Sequence, residues 1–188
     1  MNIDQADPAE LAALRVAFAV DDGGESALGW DAVRAFEAEH GVVLPEPYRT
    51  FVAEVSDGSF QGPPEYGLVG LAELPSDWGD DGARRDLAEP FPLTRQWLWE
   101  EEDAPYPDQD PEAVVEQVLH HGSVVLGTDG CAMNWHLVVT GPQRGRIWLV
   151  TDVGAMPFGA ESGGTTCAPG FAGWVAHWAA GKEWFDAA

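Results

Sequence analysis

At 188 residues the chain has the length of one domain, with enough material to bury a full core. Its 45% hydrophobic and 22% charged residues are ordinary for a globular protein and exclude general disorder, while 22 Gly and 14 Pro call for many turns. The unusual quantity is charge: 32 Asp and Glu against 9 Lys and Arg give −23, a field that opposes nucleic-acid backbones and anionic membranes and suits either bare solubility or a basic partner.

Asp7-Pro8 supplies a cap and a first-turn proline, and Leu11, Leu14 and Phe18 recur at helical spacing until Asp21-Asp22-Gly23-Gly24 breaks the pattern. Asp31 can cap a second helix that buries Val33 and Phe36 and stops at Gly41. Leu44-Pro45 opens a third, with Tyr48, Phe51, Val52 and Val55 on one face and Ser56-Asp57-Gly58 closing it. The texture then turns β-prone, beginning with the run Tyr66 to Leu71.

Residues 76–111 are acidic, Pro-bearing and aperiodic, which reads as a long surface loop, with room for a short helix. Within it Trp78, Trp97 and Trp99 interleave with carboxylates, and Glu100-Glu101-Glu102-Asp103 are consecutive. Aromatic rings among surface charges are the material of binding hot spots, and equally of loops pinned to their own core. Asp110-Pro111 starts a further helix with Val114, Val115, Val118 and Leu119 inward, ending at Gly122. Ser123–Leu126 is a short strand, and residues 134–140 pair with 146–151 across Gly141–Gly145. Both faces of that hairpin are largely apolar, so it lies centrally in the sheet. A last helix near 170–180 presents Phe171, Trp174, Val175 and Trp178. Tyr48, Phe51, Val52, Trp135, Trp148, Phe171, Trp174 and Trp178 are expected to share one core.

Chemistry-bearing constellations are sparse. Cys131 and His136 are the best nucleophile–base candidates, but a spacing of five residues does not make a pair, and a buried thiol and a sheet histidine explain them equally. His120 and His121 diverge by about 100° on a helix and cannot grip one metal from one face. The Asp77-Asp80-Asp81 and Asp21-Asp22 clusters lack the ligand alternation of a calcium loop, and Gly159–Thr166 lacks the Gly-Lys-Ser/Thr ending of a phosphate loop. No catalytic residue, metal site or cofactor is expected. Two cysteines, Cys131 and Cys167, are too few for a disulfide framework, which fits a reducing compartment, by default the cytoplasm. Neither a signal-peptide pattern nor an apolar run of about 20 residues is present.

Phe36-Glu37, then Gly41-Val-Val-Leu44-Pro45-Glu-Pro-Tyr48-Arg-Thr-Phe51, then Val55-Ser-Asp-Gly58 resembles the N-terminal signature of the SUKH superfamily, the Smi/Knr-type regulators and bacterial toxin-immunity proteins. Gly127-Thr-Asp129-Gly130, the run Trp135–Gly141, Gly145-Arg-Ile-Trp148 and Phe171–Trp178 resemble its central strands and closing helix. The resemblance implies one α+β domain over 1–188, core about 30–181, with a mainly antiparallel sheet packed by helices from both ends of the chain and the acidic loop 76–111 inserted. It implies a non-catalytic immunity protein that occludes a cognate toxin, a basic one such as a nuclease; the fungal branch supplies the alternative, a regulatory or scaffold module without a toxin. The partner-binding residues expected are Asp77, Asp80, Asp81, Trp97, Trp99, Glu100, Glu101, Glu102 and Asp103, with a protein partner, no nucleic acid and no membrane.

Overall fold

A computed structural model describes residues 6–18, 26–76, 78, 85–100, 106, 108–159 and 167–184. These form five helices, α1 (Pro8–Ala17), α2 (Trp30–His40), α3 (Tyr48–Glu54), α4 (Pro111–His120) and α5 (Phe171–Ala179), and four strands, β1 (Ser123–Thr128), β2 (Asn134–Val138), β3 (Ile147–Val150) and β4 (Ala155–Pro157). The strands make one antiparallel sheet in sequence order. The fold is the expected α+β domain, with helices from both ends of the chain around the sheet.

The helix ends follow from local chemistry. Asp7 and Asp110 each accept a bond from the backbone N–H two residues on, ahead of a first-turn proline, at 2.7 and 3.2 Å. Gly41 ends α2 in the left-handed region, at φ 67°, where a side chain would be strained. Two starts differ from expectation. The cap of α2 is Gly29, because Asp31 already lies in the first turn, fully exposed, where its charge faces the helix dipole and Arg34 at 3.6 Å. The third helix begins at Tyr48 and not at Pro45, because Glu37 holds the approach to it: Glu37 Oε1 accepts from Leu44 N–H (2.9 Å) and Arg49 Nε (2.7 Å), and Oε2 from Arg49 Nη2 (2.8 Å).

That two-pronged pair is enclosed, and its carboxyl sits below the usual carboxylate range. Burial alone would raise it, but the Arg49 hydrogen bonds, the Leu44 N–H and the Arg49 charge together outweigh burial. A depressed folded pKa contributes stability that is full above the unfolded value of about 4.3 and is lost as pH falls through the folded one. Glu37→Gln is therefore expected to cost about 1–3 kcal/mol at pH 7 and to flatten stability between about pH 4 and the acid limit, read from urea unfolding at stepped pH. An acid profile identical to wild type would show that the pair carries no such linkage.

Period-two alternation divides the interior in two. Trp135, Leu137, Ile147 and Leu149 face α1, α2, α3 and α5, in a core that holds Leu14, Val33, Tyr48, Phe51, Val52, Phe171 and Trp174. Val138, Trp148 and Val150 face the other way, onto Val114 and Val118 of α4 and onto Phe91, Leu93 and Trp97. The single core expected from the aromatic spacings is thus two, one on each side of the sheet, and Trp148 belongs to the second. Trp178 belongs to neither: it is half-buried at the margin, with its ring 6.3 Å from Phe18.

The Tyr66–Leu71 run is not a regular strand. It edges the sheet through Tyr66 N–H to Thr128 O (3.3 Å) and Val69 N–H to Leu126 O (2.8 Å), and Leu68 bridges back to Ser59. Asp57 of the Ser-Asp-Gly closure staples it by accepting from Leu71 N–H at 2.8 Å. The hairpin strands end earlier than expected because the N–H groups of Val139 and Thr140 turn to Gly122 O, at 2.7 and 3.1 Å.

Residues 85–100 are a strap more than a surface loop. Asp86 bridges His121, Trp97 bridges Ala155, and Phe91, Leu93 and Trp97 are buried. Prolines hold the segment extended, so its inward residues keep no helix or strand period. No helix is present among its described residues.

Candidate partner-binding face

The structure separates the residues expected to meet a partner. Trp97 is 2% exposed in the second core and packs edge-on against Trp99 at 5.6 Å, so it pins the strap and presents no surface. Trp99 is half-buried and donates from Nε1 to Asp152 O at 2.7 Å, which fixes it at the β3–β4 turn. Glu100, next in sequence, is exposed. Asp77, Asp80, Asp81, Glu101, Glu102 and Asp103 lie outside the described residues.

Trp99 stands at the end of the sheet where β1 and β3 finish and β2 and β4 begin. Tyr66 meets the same end: its ring covers Gly130, where an added Cβ would lie 3.0 Å from Cε2, and Glu65 N–H donates to Asp129 Oδ1 at 2.8 Å. Asp129 Oδ2 accepts from Trp135 Nε1 at 2.7 Å, so the turn is tied to the core as well. Tyr66 is 71% exposed and Phe60, beside Gly67 across the Ser59–Leu68 bridge, is 88% exposed. Backbone bonds on both sides of the segment hold these rings out in water. Exposed Glu65, Asp152, Val153 and Glu100 complete an acidic, aromatic-bearing face.

Strain accompanies this face. Cys131 and Ala132, in the β1–β2 turn, have φ of 51° and 58°, unfavourable for side chains, and the turn is over-determined by bonds from Asp129 N–H to Met133 O (2.9 Å) and Gly130 N–H to Thr128 Oγ1 (2.9 Å). Phe60 and Tyr66 went unmarked in the sequence because they stand in a turn-rich run in which Glu65 is the single charge, and no spacing marks a ring as exposed.

Titratable groups elsewhere take other roles. Cys131 is exposed in its turn, whereas His136 is fully buried in β2 with Nδ1 3.0 Å from Ser123 Oγ. The cysteine–histidine contact that does form is Cys167 Sγ to His177 Nδ1, at 3.4 Å, with His177 Nε2 2.7 Å from Glu183 O. A carbonyl only accepts, so Nε2 carries the proton and Nδ1 accepts from the thiol. The ring stacks on Trp184 at 5.4 Å, as a core histidine does, and no motif announces the pair. His120 Nε2 lies 3.3 Å from Glu116 Oε2 at the end of α4. Among the described residues no group of three His, Cys, Asp or Glu is placed to hold a metal, and no helix is long and apolar enough to cross a membrane.

Fold and face together describe an α+β domain whose most exposed rings are displayed at an acidic end of its sheet. The family model described as SMI1 / KNR4 family (SUKH-1) matches residues 30–177, from the first residue of α2 into α5, and the chain belongs to that family. Its members are generally non-catalytic. No curated protein and no solved structure matches the chain.

Proposed function

We propose that this chain is a non-catalytic protein-binding domain, a bacterial immunity protein that neutralises a cognate basic toxin, of nuclease type, by occluding it. The observation that carries the reading is the rigid display of Phe60 and Tyr66 at an acidic sheet end in a protein of charge −23. Rings held in place lose little freedom on binding and serve as anchors, while the surrounding field speeds encounter with a basic surface and competes with an anionic substrate. Trp99 and Glu100 extend the same face, and Glu101, Glu102 and Asp103 follow directly in sequence. Family membership is consistent with an immunity or a regulatory binding domain, and the charge favours the first, since a basic toxin gains most from it.

The test begins with a search of the neighbouring open reading frames for a toxin domain, which then serves as the partner. Changing Glu100, Glu101, Glu102 and Asp103 to Gln and Asn is expected to slow association by roughly tenfold at 50 mM salt and to flatten its dependence up to 500 mM, where the screening length falls to about 4 Å. Stopped-flow rates unchanged by both salt and substitution would place the partner elsewhere. Absence of any toxin gene beside this one, with binding to an endogenous protein instead, would favour the regulatory alternative.

A further inference from the structure

Trp99 does more than fix the strap. With Trp78 it lines a cavity of about 300 Å³ between the C-terminal half of α4 and the end of the sheet, at the lower limit of size for small-ligand pockets. Val115, Leu119 and Val150 supply apolar walls. Both indoles are only half-buried, so the cavity is reached from solvent along its aromatic side.

Two carboxylates share this lining, Glu116 on α4 and Asp152 in the β3–β4 turn, both exposed, and among the described residues no lysine or arginine lines it. Glu116 is engaged loosely, 3.3 Å from His120 Nε2, with its side chain 71% exposed. Asp152 takes part through its backbone, its carbonyl accepting from Trp99 Nε1 at 2.7 Å, and no described residue donates to its carboxylate.

An indole face, apolar walls for a hydrocarbon stem and solvent-facing carboxylates are the complement of a guanidinium on an alkyl chain. An ammonium would be served by the carboxylates, but a planar guanidinium gains from the stacking surface as well and forks onto a carboxylate. This fold already uses the stacking contact: Arg34 and Arg49 lie over Trp30 at 5.5 and 5.2 Å, and Arg85, which does not line the cavity, lies over Trp78 at 5.0 Å. Among the described residues no cation lies over Trp99, whose ring contact is with Trp97.

We propose that the Trp78–Trp99 cavity is the seat of an arginine side chain from the basic partner, stacked on Trp99 with its N–H groups donating to Glu116 and Asp152. Trp99 and Asp152 already belong to the partner-binding face, so the inference rests on the proposed function and names one anchor that the partner inserts. Burying the alkyl stem against Val115 and Leu119 favours a deep side chain over a cation held at the surface.

The experiment titrates n-butylguanidinium chloride into the full ¹⁵N-labelled chain at constant ionic strength. The indole N–H signal of Trp99, assigned by its loss in Trp99→Phe, is expected to shift saturably, with Kd of about 1–10 mM, usual for so small a ligand. Neutral n-butylurea, of nearly the same shape, and n-butylammonium are expected to bind more weakly, by about fivefold or more. The double variant Glu116→Gln, Asp152→Asn should weaken n-butylguanidinium by roughly five- to tenfold, whereas Glu112→Gln, one turn back on α4 and outside the lining, should leave it unchanged. All three positions are exposed, so the variants keep the fold. Because the probe needs no toxin, failure here removes the arginine seat alone and leaves occlusion to be judged by titration of the toxin. A shift that does not saturate, equal or tighter binding of n-butylurea or n-butylammonium, or a double variant that binds n-butylguanidinium as the wild type does would each overturn the proposal.

Discussion

Trp148→Ala is expected to destabilise the domain by about 3–5 kcal/mol, as much as Trp135→Ala, although the two rings lie on opposite faces of the sheet. Both are fully buried, and Trp148 packs 5.1 Å from Phe91 in the strap while Trp135 meets Trp174 at 5.6 Å beneath α5. Each truncation leaves a ring-sized void lined by neighbours that are themselves fixed: strands on one side, and helices or strap on the other. Because the voids open on opposite faces of the sheet, into separate side-chain clusters, the double variant should approach the sum of the two, or unfold outright at 25 °C. Urea midpoints measured at constant m value decide the matter. A Trp148→Ala cost under about 1 kcal/mol would mean that α4 and the strap are an appendage on a single core formed by the other four helices.

Phe60→Ala and Tyr66→Ala are expected to do the reverse, leaving stability within about 0.5 kcal/mol of wild type and weakening the partner complex by at least about 2 kcal/mol each, roughly thirtyfold in Kd. The two rings are 88% and 71% exposed, so truncation empties no cavity, and the backbone bonds that hold the segment involve neither side chain. The loss should appear in the dissociation rate, since an anchor acts after encounter, in contrast to the salt-sensitive association rate set by the carboxylates. Unchanged dissociation in both variants would make the aromatic display incidental.

Much of the fold was legible because helix and hairpin signals are local. Asp-Pro caps, a glycine stop at Gly41 and the i, i+3, i+4 spacing of Tyr48, Phe51 and Val52 need no tertiary information. The division of the core was legible in principle, since Trp135 and Trp148 sit on opposite phases of their paired strands, His136 opposite Trp148. What hid it was the apolar character of both phases. The strap was illegible for a different reason. Phe91, Leu93 and Trp97 are inward by virtue of proline-held extension and sheet contact, and no period of 2 or 3.6 reports that. Charge drew attention to Glu100 through Asp103, whereas the exposed rings at 60 and 66 stand in a run with a single carboxylate, Glu65. Arg85 lay inside the acidic stretch as one cation among many carboxylates, and no ion pair joins it to a carboxylate of the described residues.

Titration of the toxin domain with the folded chain, with toxin activity as readout at concentrations well above Kd, tests occlusion most directly. Occlusion predicts a linear fall to background at one equivalent, with the equivalence point unchanged in Cys131→Ala and Cys167→Ala. A stoichiometric complex in which the toxin keeps its full activity, or an inactivation that proceeds catalytically at far less than one equivalent, would contradict it.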